Sequence, residues 1–220
     1  MTKSRLLALT LFAAGIGSAG VIFDSGNIPQ TDSNVLFNCV AICVNGPPSV
    51  VGHLQQVIPD TAVDFTSAEG LSVIGPGFNA VSGQNSTTGF DDMAITVPGH
   101  TFTSIILQLT SLASMPDGTV TFTAFLSGGG SVISSALVDS HTGGNYFTIL
   151  ATGGSLITEL DFASICSPCT STSGNLMQDN VSQVRIGGVS GATIVPEPAT
   201  YGLTGAALVG LAFFRRRRTP

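Results

Sequence analysis

The chain has 220 residues, of which 43% are hydrophobic and only 9% charged, with a formal net charge of −6 at pH 7. That length suits one domain with its own core. Six of the seven basic residues lie at the two ends, so residues 20–195 hold Arg185 against twelve acids, a net −11. Such a body has no basic surface for nucleic acid, anionic lipid or phosphate-rich partners, which leaves cations, neutral polysaccharide or other proteins.

Lys3 and Arg5 precede an apolar run over residues 6–16, and Gly17-Ser18-Ala19 supplies small residues at the −3 and −1 positions of a cleavage site. This pattern predicts a secretory signal peptide over residues 1–19, cut after Ala19.

The body, residues 20–195, is rich in Gly, Ser and Thr and poor in helix-forming Glu, Lys and Arg. Apolar and polar residues alternate along it, the period of half-buried strands. Strands are expected at 62–65, 71–74, 93–97, 102–112, 119–126, 131–138, 145–151, 156–162 and 181–186. Met115-Pro116-Asp117-Gly118 has a tight-turn composition and predicts that 102–112 and 119–126 pair as a hairpin. No segment of the body keeps a helical period and no internal repeat is evident. Many short strands separated by Gly-rich turns indicate an all-β fold, an antiparallel β-sandwich of jelly-roll type, with a barrel as the alternative.

Four cysteines occur as Cys39-x3-Cys43 and Cys166-Ser167-Pro168-Cys169. Export would place them in an oxidising compartment, where an even number implies disulfides. Three connectivities are open, and two local bridges are favoured over a cross-link between the two loops. Cys39 and Cys43 would stand roughly 13 Å apart in an extended strand, so bridging them requires a turn. Redox chemistry at 166–169 is disfavoured because no helical pattern follows, and a four-Cys zinc site because export favours disulfides.

Catalytic constellations are thin. His53, His100 and His141 are scattered without metal-ligand spacing, and Ser82 has Ala80 where a nucleophile elbow needs its first Gly. The expectation is that the protein is not an enzyme and needs no cofactor. Asp91-Asp92 and Asp179 are candidate Ca²⁺ ligands, since exported sandwich domains hold this ion with loop carboxylates. Against it, no EF-hand loop is present, and adjacent Asp side chains in a strand point to opposite faces.

The end of the chain has a different organisation. Pro196, Glu197 and Pro198 are followed by a helix-forming apolar segment over 199–214 and then by Arg215, Arg216, Arg217 and Arg218. The fourteen residues 201–214 rise about 21 Å as a helix against a hydrocarbon core of about 30 Å, which suits temporary residence better than permanent anchoring. Adjacent arginines stop transfer and, by the positive-inside rule, stay in the cytoplasm, leaving the N-terminus outside. Gly202, Ala206 and Gly210 form a small-residue stripe on which another helix could pack, although such residues are common in membrane helices. This tripartite tail, residues 196–218, resembles the PEP-CTERM sorting signal of bacteria that make exopolysaccharide. The resemblance covers about a tenth of the chain and implies processing by an exosortase, an integral-membrane cysteine peptidase, near the Pro-Glu-Pro.

The expected protein is therefore an inner-membrane precursor, resident only transiently, that ends at the cell surface or in the extracellular matrix of a biofilm. Its body would be structural or adhesive. The alternative is a carbohydrate-binding module associated with exopolysaccharide, which the lack of Trp and the single body tyrosine, Tyr146, argue against. A secreted enzyme is the third reading.

Overall fold

The computed structural model describes residues 20–37, 42–45, 48–55, 57–58, 60–74, 80–83, 89–112, 117–165, 178–191 and 193–194. Residues 1–19, where a signal peptide is expected, residues 196–218 with the expected apolar helix and the arginines, and Cys39, Cys166 and Cys169 lie outside these residues. So does the Cys43 side chain, and with it the disulfide expectation.

Sixteen strands follow one another without a helix among the described residues, and none of these residues forms a span long and apolar enough to cross a membrane as a helix. They are β1 (Gly20–Asp24), β2 (Asp32–Leu36), β3 (Ile42–Asn45), β4 (Ser49–Leu54), β5 (Val57–Ile58), β6 (Ala62–Thr66), β7 (Leu71–Ile74) and β8 (Val81–Gly83). The remainder are β9 (Asp92–Thr96), β10 (Ser104–Ser111), β11 (Gly118–Leu126), β12 (Ser131–Val138), β13 (Asn145–Thr152), β14 (Ile157–Ile165), β15 (Gln178–Gly187) and β16 (Thr193–Ile194). Every expected strand is present.

Fourteen of these strands form a single antiparallel sheet with the main order β1-β13-β10-β15-β2-β4-β6-β9-β14-β11-β12, and β8, β7 and β3 extend it from β15. The junction is β2. Its residues Asp32 to Asn34 pair with β15, and Val35 and Leu36 pair with β4, so one short strand belongs to both halves. The sheet thus folds over on itself around β2 and nearly closes, with the end strands β1 and β12 approaching each other without pairing. Two separate sheets were expected from sequence; a strand shared between them makes the sheet continuous.

Inward faces of the two halves meet in one core. Ile105, Leu107 and Leu109 of β10 and Phe147 and Ile149 of β13 oppose Val120, Phe122 and Ala124 of β11 and Leu160 and Phe162 of β14. Phe122 spans the layer. Its ring lies 4.9 Å from that of Phe147, 6.0 Å from Phe162 and 6.3 Å from Phe23 on β1.

The expected hairpin between 102–112 and 119–126 does not form. The strand β10 pairs with β13 and β15, and β11 pairs with β12 and β14. Both β10 and β11 carry one apolar face, and the connection between them passes from one half to the other so that those faces meet across the core. The hairpin in this region is β11–β12, closed by the turn Ser127-Gly128-Gly129-Gly130, where Gly129 and Gly130 have φ of 86° and 81°. Only glycine takes such angles without steric cost.

The outer face of the first half is partly covered. The link from β1 to β2 must cross β13, β10 and β15, and it does so against Thr148. The Ile28 amide donates to Thr148 Oγ1 at 3.0 Å, and that hydroxyl donates to the Gly26 carbonyl at 2.7 Å. Thr148 and Ile106 are consequently buried although they point away from the core.

Candidate functional site

Among the described residues nothing covers the outer face of the second half, and that face is acidic. Antiparallel pairing sets Thr66 beside Ala94, Ala94 beside Asp161 and Asp161 beside Thr123 across β6, β9, β14 and β11. The next row along is Asp64, Thr96, Glu159 and Phe125, and the row on the other side holds Asp92, Ala163 and Thr121. Alanines at the centre with longer side chains around them leave a shallow groove of about 460 Å³, to which Thr66, Ser67, Asp92, Thr121, Thr123 and Asp161 contribute.

One rim of the groove is a three-carboxylate cluster. Oxygen atoms of Glu69, Asp91 and Asp92 lie within 4.8 Å of one another. Ser67 holds two of them, with Oγ 2.7 Å from Glu69 Oε2 and 3.0 Å from Asp92 Oδ1, and the Ala68 amide donates to Asp92 Oδ1 at 3.0 Å. The sequence argument that adjacent aspartates must diverge fails here for a local reason. Asp91 stands at a bend before β9 begins, so the alternation of an extended strand does not apply to it. Asp179 does not join this cluster; its carboxylate accepts from Asn180 Nδ2 at 3.1 Å.

The groove holds like charges close together. Burial, then the neighbouring Glu69 and Asp92, push the Asp91 carboxyl above its ordinary value. Burial, then Glu159 and Asp92, push Asp161 up to about 7. Asp161 Oδ1 is buried without a hydrogen-bond partner, in keeping with a poorly solvated carboxyl. The single basic residue of the body, Arg185, is on the other half, where Nη2 donates to Asn27 Oδ1 at 2.5 Å. It offers these acids no counter-charge.

The three histidines have separate partners. His53 Nδ1 is 3.5 Å from Asp60 Oδ1, and His100 Nδ1 is 2.5 Å from the Ser190 carbonyl. His141 meets Asp117 and Asp139 at the far end of β11 and β12. Sequence reasoning missed Glu69, Glu159 and Asp161 as members of an acidic site. Glu159 and Asp161 alternate with Leu160 and Phe162 along β14, but their meeting with Asp92 depends on the pairing of β9 with β14.

Beyond this body the chain ends in a three-part tail of Pro-rich motif, apolar segment and basic stop, which defines a class of sorted, exported precursors. The particular signal is the PEP-CTERM protein-sorting motif, whose family model matches residues 195–218. That motif implies a membrane-anchored precursor that an exosortase, a membrane protease, processes on its way to the cell surface. No curated protein and no solved structure matches the chain.

Proposed function

We propose that this is an exported bacterial surface or matrix protein with a structural or adhesive, non-catalytic body, delivered by exosortase cleavage near Pro198. The observation that supports export and processing is the sorting motif over residues 195–218; the non-catalytic body is the reading of its composition. In the precursor the N-terminus is outside, residues 199–214 sit in the inner membrane, and Arg215 to Arg218 remain in the cytoplasm, each arginine costing several kcal/mol at the bilayer centre. Two prolines flanking Glu197 disfavour helix and present an extended segment to the peptidase.

Intact-mass measurement of the surface protein from an exosortase-bearing host tests this. The expected mass lacks residues 201–220, and replacing Arg215 to Arg218 with Ser reduces processing. A surface protein that retains residues 201–220 would make the tail a permanent anchor and sink the sorting account.

The groove favours a second reading, carbohydrate binding. The hydroxyls of Thr66, Ser67, Thr121 and Thr123 and the carboxylates of Asp92 and Asp161 offer hydrogen bonds to a neutral glycan, with Ca²⁺ on Glu69, Asp91 and Asp92 as a further partner. A glycan array probed with the exported protein distinguishes the two. Binding that Asp161→Ala removes supports the module; no binding favours the structural role.

A further inference from the structure

We propose that Asp117, Asp139 and His141 form a site for one divalent transition-metal ion of the zinc class. The pairing of β11 with β12 ends at Gly118 and Val138, which face each other, so the residues just beyond that pair are Asp117 and Asp139. His141 follows two positions later in the turn toward β13. Its Nδ1 lies 3.4 Å from Asp117 Oδ1 and 3.6 Å from Asp139 Oδ1. Ligands about 2.0–2.1 Å from a tetrahedral ion stand about 3.3–3.4 Å from one another. The two separations from His141 Nδ1 are close to that value, and the two carboxylates offer oxygens within 4.8 Å of each other.

The ligand set selects the metal. Imidazole with carboxylates suits zinc and its neighbours, whereas Ca²⁺ prefers six to eight oxygens. Two carboxylates neutralise a doubly charged ion, and the site sits on a body of net charge −11. The Ser140 amide and hydroxyl donate to Asp117 Oδ1 at 3.0 and 3.1 Å and fix the position of that carboxylate. The turn is braced independently of the ion. The Asp139 amide donates to Asn145 Oδ1 at 3.0 Å, Asn145 Nδ2 donates to the Asp139 carbonyl at 3.0 Å, and the His141 amide donates to Asp139 Oδ1 at 2.8 Å.

The side chains are 62%, 53% and 81% exposed for Asp117, Asp139 and His141. An ion held by three such ligands keeps a coordination position open to water or to an external donor. The purely acidic cluster of Glu69, Asp91 and Asp92 lacks a nitrogen ligand and does not share this chemistry.

Titration of the full chain in detergent with Co²⁺, its thiols first capped by alkylation, tests the site by the visible absorption of the bound ion. The expected result is one Co²⁺ per chain, displaced by Zn²⁺ and not by millimolar Ca²⁺. His141→Ala should weaken binding about tenfold or more, as should Asp117→Asn, while His100→Ala leaves it unchanged. Circular dichroism checks that the variants remain folded, and the His141 ring signals should shift on Zn²⁺ addition in NMR spectra of the unmodified chain. No saturable binding, binding indifferent to His141→Ala, or unmoved His141 ring signals would each overturn the proposal.

Discussion

Gln183 is the described non-glycine residue with a positive φ, 52°, and it sits inside β15. The pairing of β15 with β10 slips there, between the partners of Ile106 and Gln108. One extra residue changes which side chains point inward: Val181 is buried, and after the slip Val184 and Ile186 are buried instead of 183 and 185. The bulge thus turns Arg185 outward toward Asn27 and keeps its charge from the core. Left-handed backbone costs an L-residue about 1–2 kcal/mol, so Gln183→Gly should be neutral or stabilising by up to about 1 kcal/mol in urea denaturation, although glycine elsewhere in a strand destabilises. A clear loss of stability would show that the Gln183 side chain contributes more than its backbone strain removes.

Asp161 leads to a pH dependence whose sign can be worked out. Its carboxyl is near 3.8 unperturbed and about 7 in the fold. Between those values the folded state binds more protons than the unfolded one, so this group's contribution to stability falls as pH rises from about 4 to about 7 and then levels off. Glu159 on the same strand and Asp92 on β9 are the charges that raise it, with Asp64 on β6 and Glu69 and Asp91 at the rim the other acids of this face, while β11 presents Thr121 and Thr123. The expected outcome for Asp161→Asn is a higher melting temperature at pH 8 and a shallower loss between pH 5 and 8. A melting profile parallel to that of the unchanged protein would mean that Asp161 is well solvated and titrates normally.

At the scale of the element, one sheet yields two surfaces with different tolerance. Phe122 on β11 is buried at the meeting of four rings, whereas Ile133 on the neighbouring β12 is 64% exposed. Phe122→Ala should cost about 3–5 kcal/mol and Ile133→Ala less than about 0.5 kcal/mol, as read from denaturant midpoints. Equal losses would mean that β12 is covered in solution. The strands themselves were legible because alternation is a local property: Val120, Phe122 and Ala124 are spaced by two whatever they pack against. Pairing was not legible. Met115-Pro116-Asp117-Gly118 has turn chemistry, but chemistry at a turn does not decide whether the chain returns beside itself or crosses to the facing layer. The same limit applies to the acidic site, where Asp91 and Asp92 stand out as neighbours in sequence but Glu69 and Asp161 join them only through loop geometry and the β9–β14 register. His141 looked isolated for the same reason, since Asp117 reaches it from 24 residues away.

For the molecule as a whole, the junction between body and tail sets a mechanical condition. The strand β16 is only Thr193–Ile194, clasped to Val57 and Ile58 of β5. From Ile194 to Pro198 is a leash of four residues, at most about 14 Å when taut. In the proposed precursor the point at which the body of net charge −11 joins its tail thus lies within about two screening lengths of the membrane surface at physiological ionic strength. On so short a leash the body would crowd a membrane protease reaching for the prolines. The clasp is the part that can yield: two residues of pairing peel more readily than any longer strand of the sheet, and each residue released lengthens the leash by about 3.5 Å.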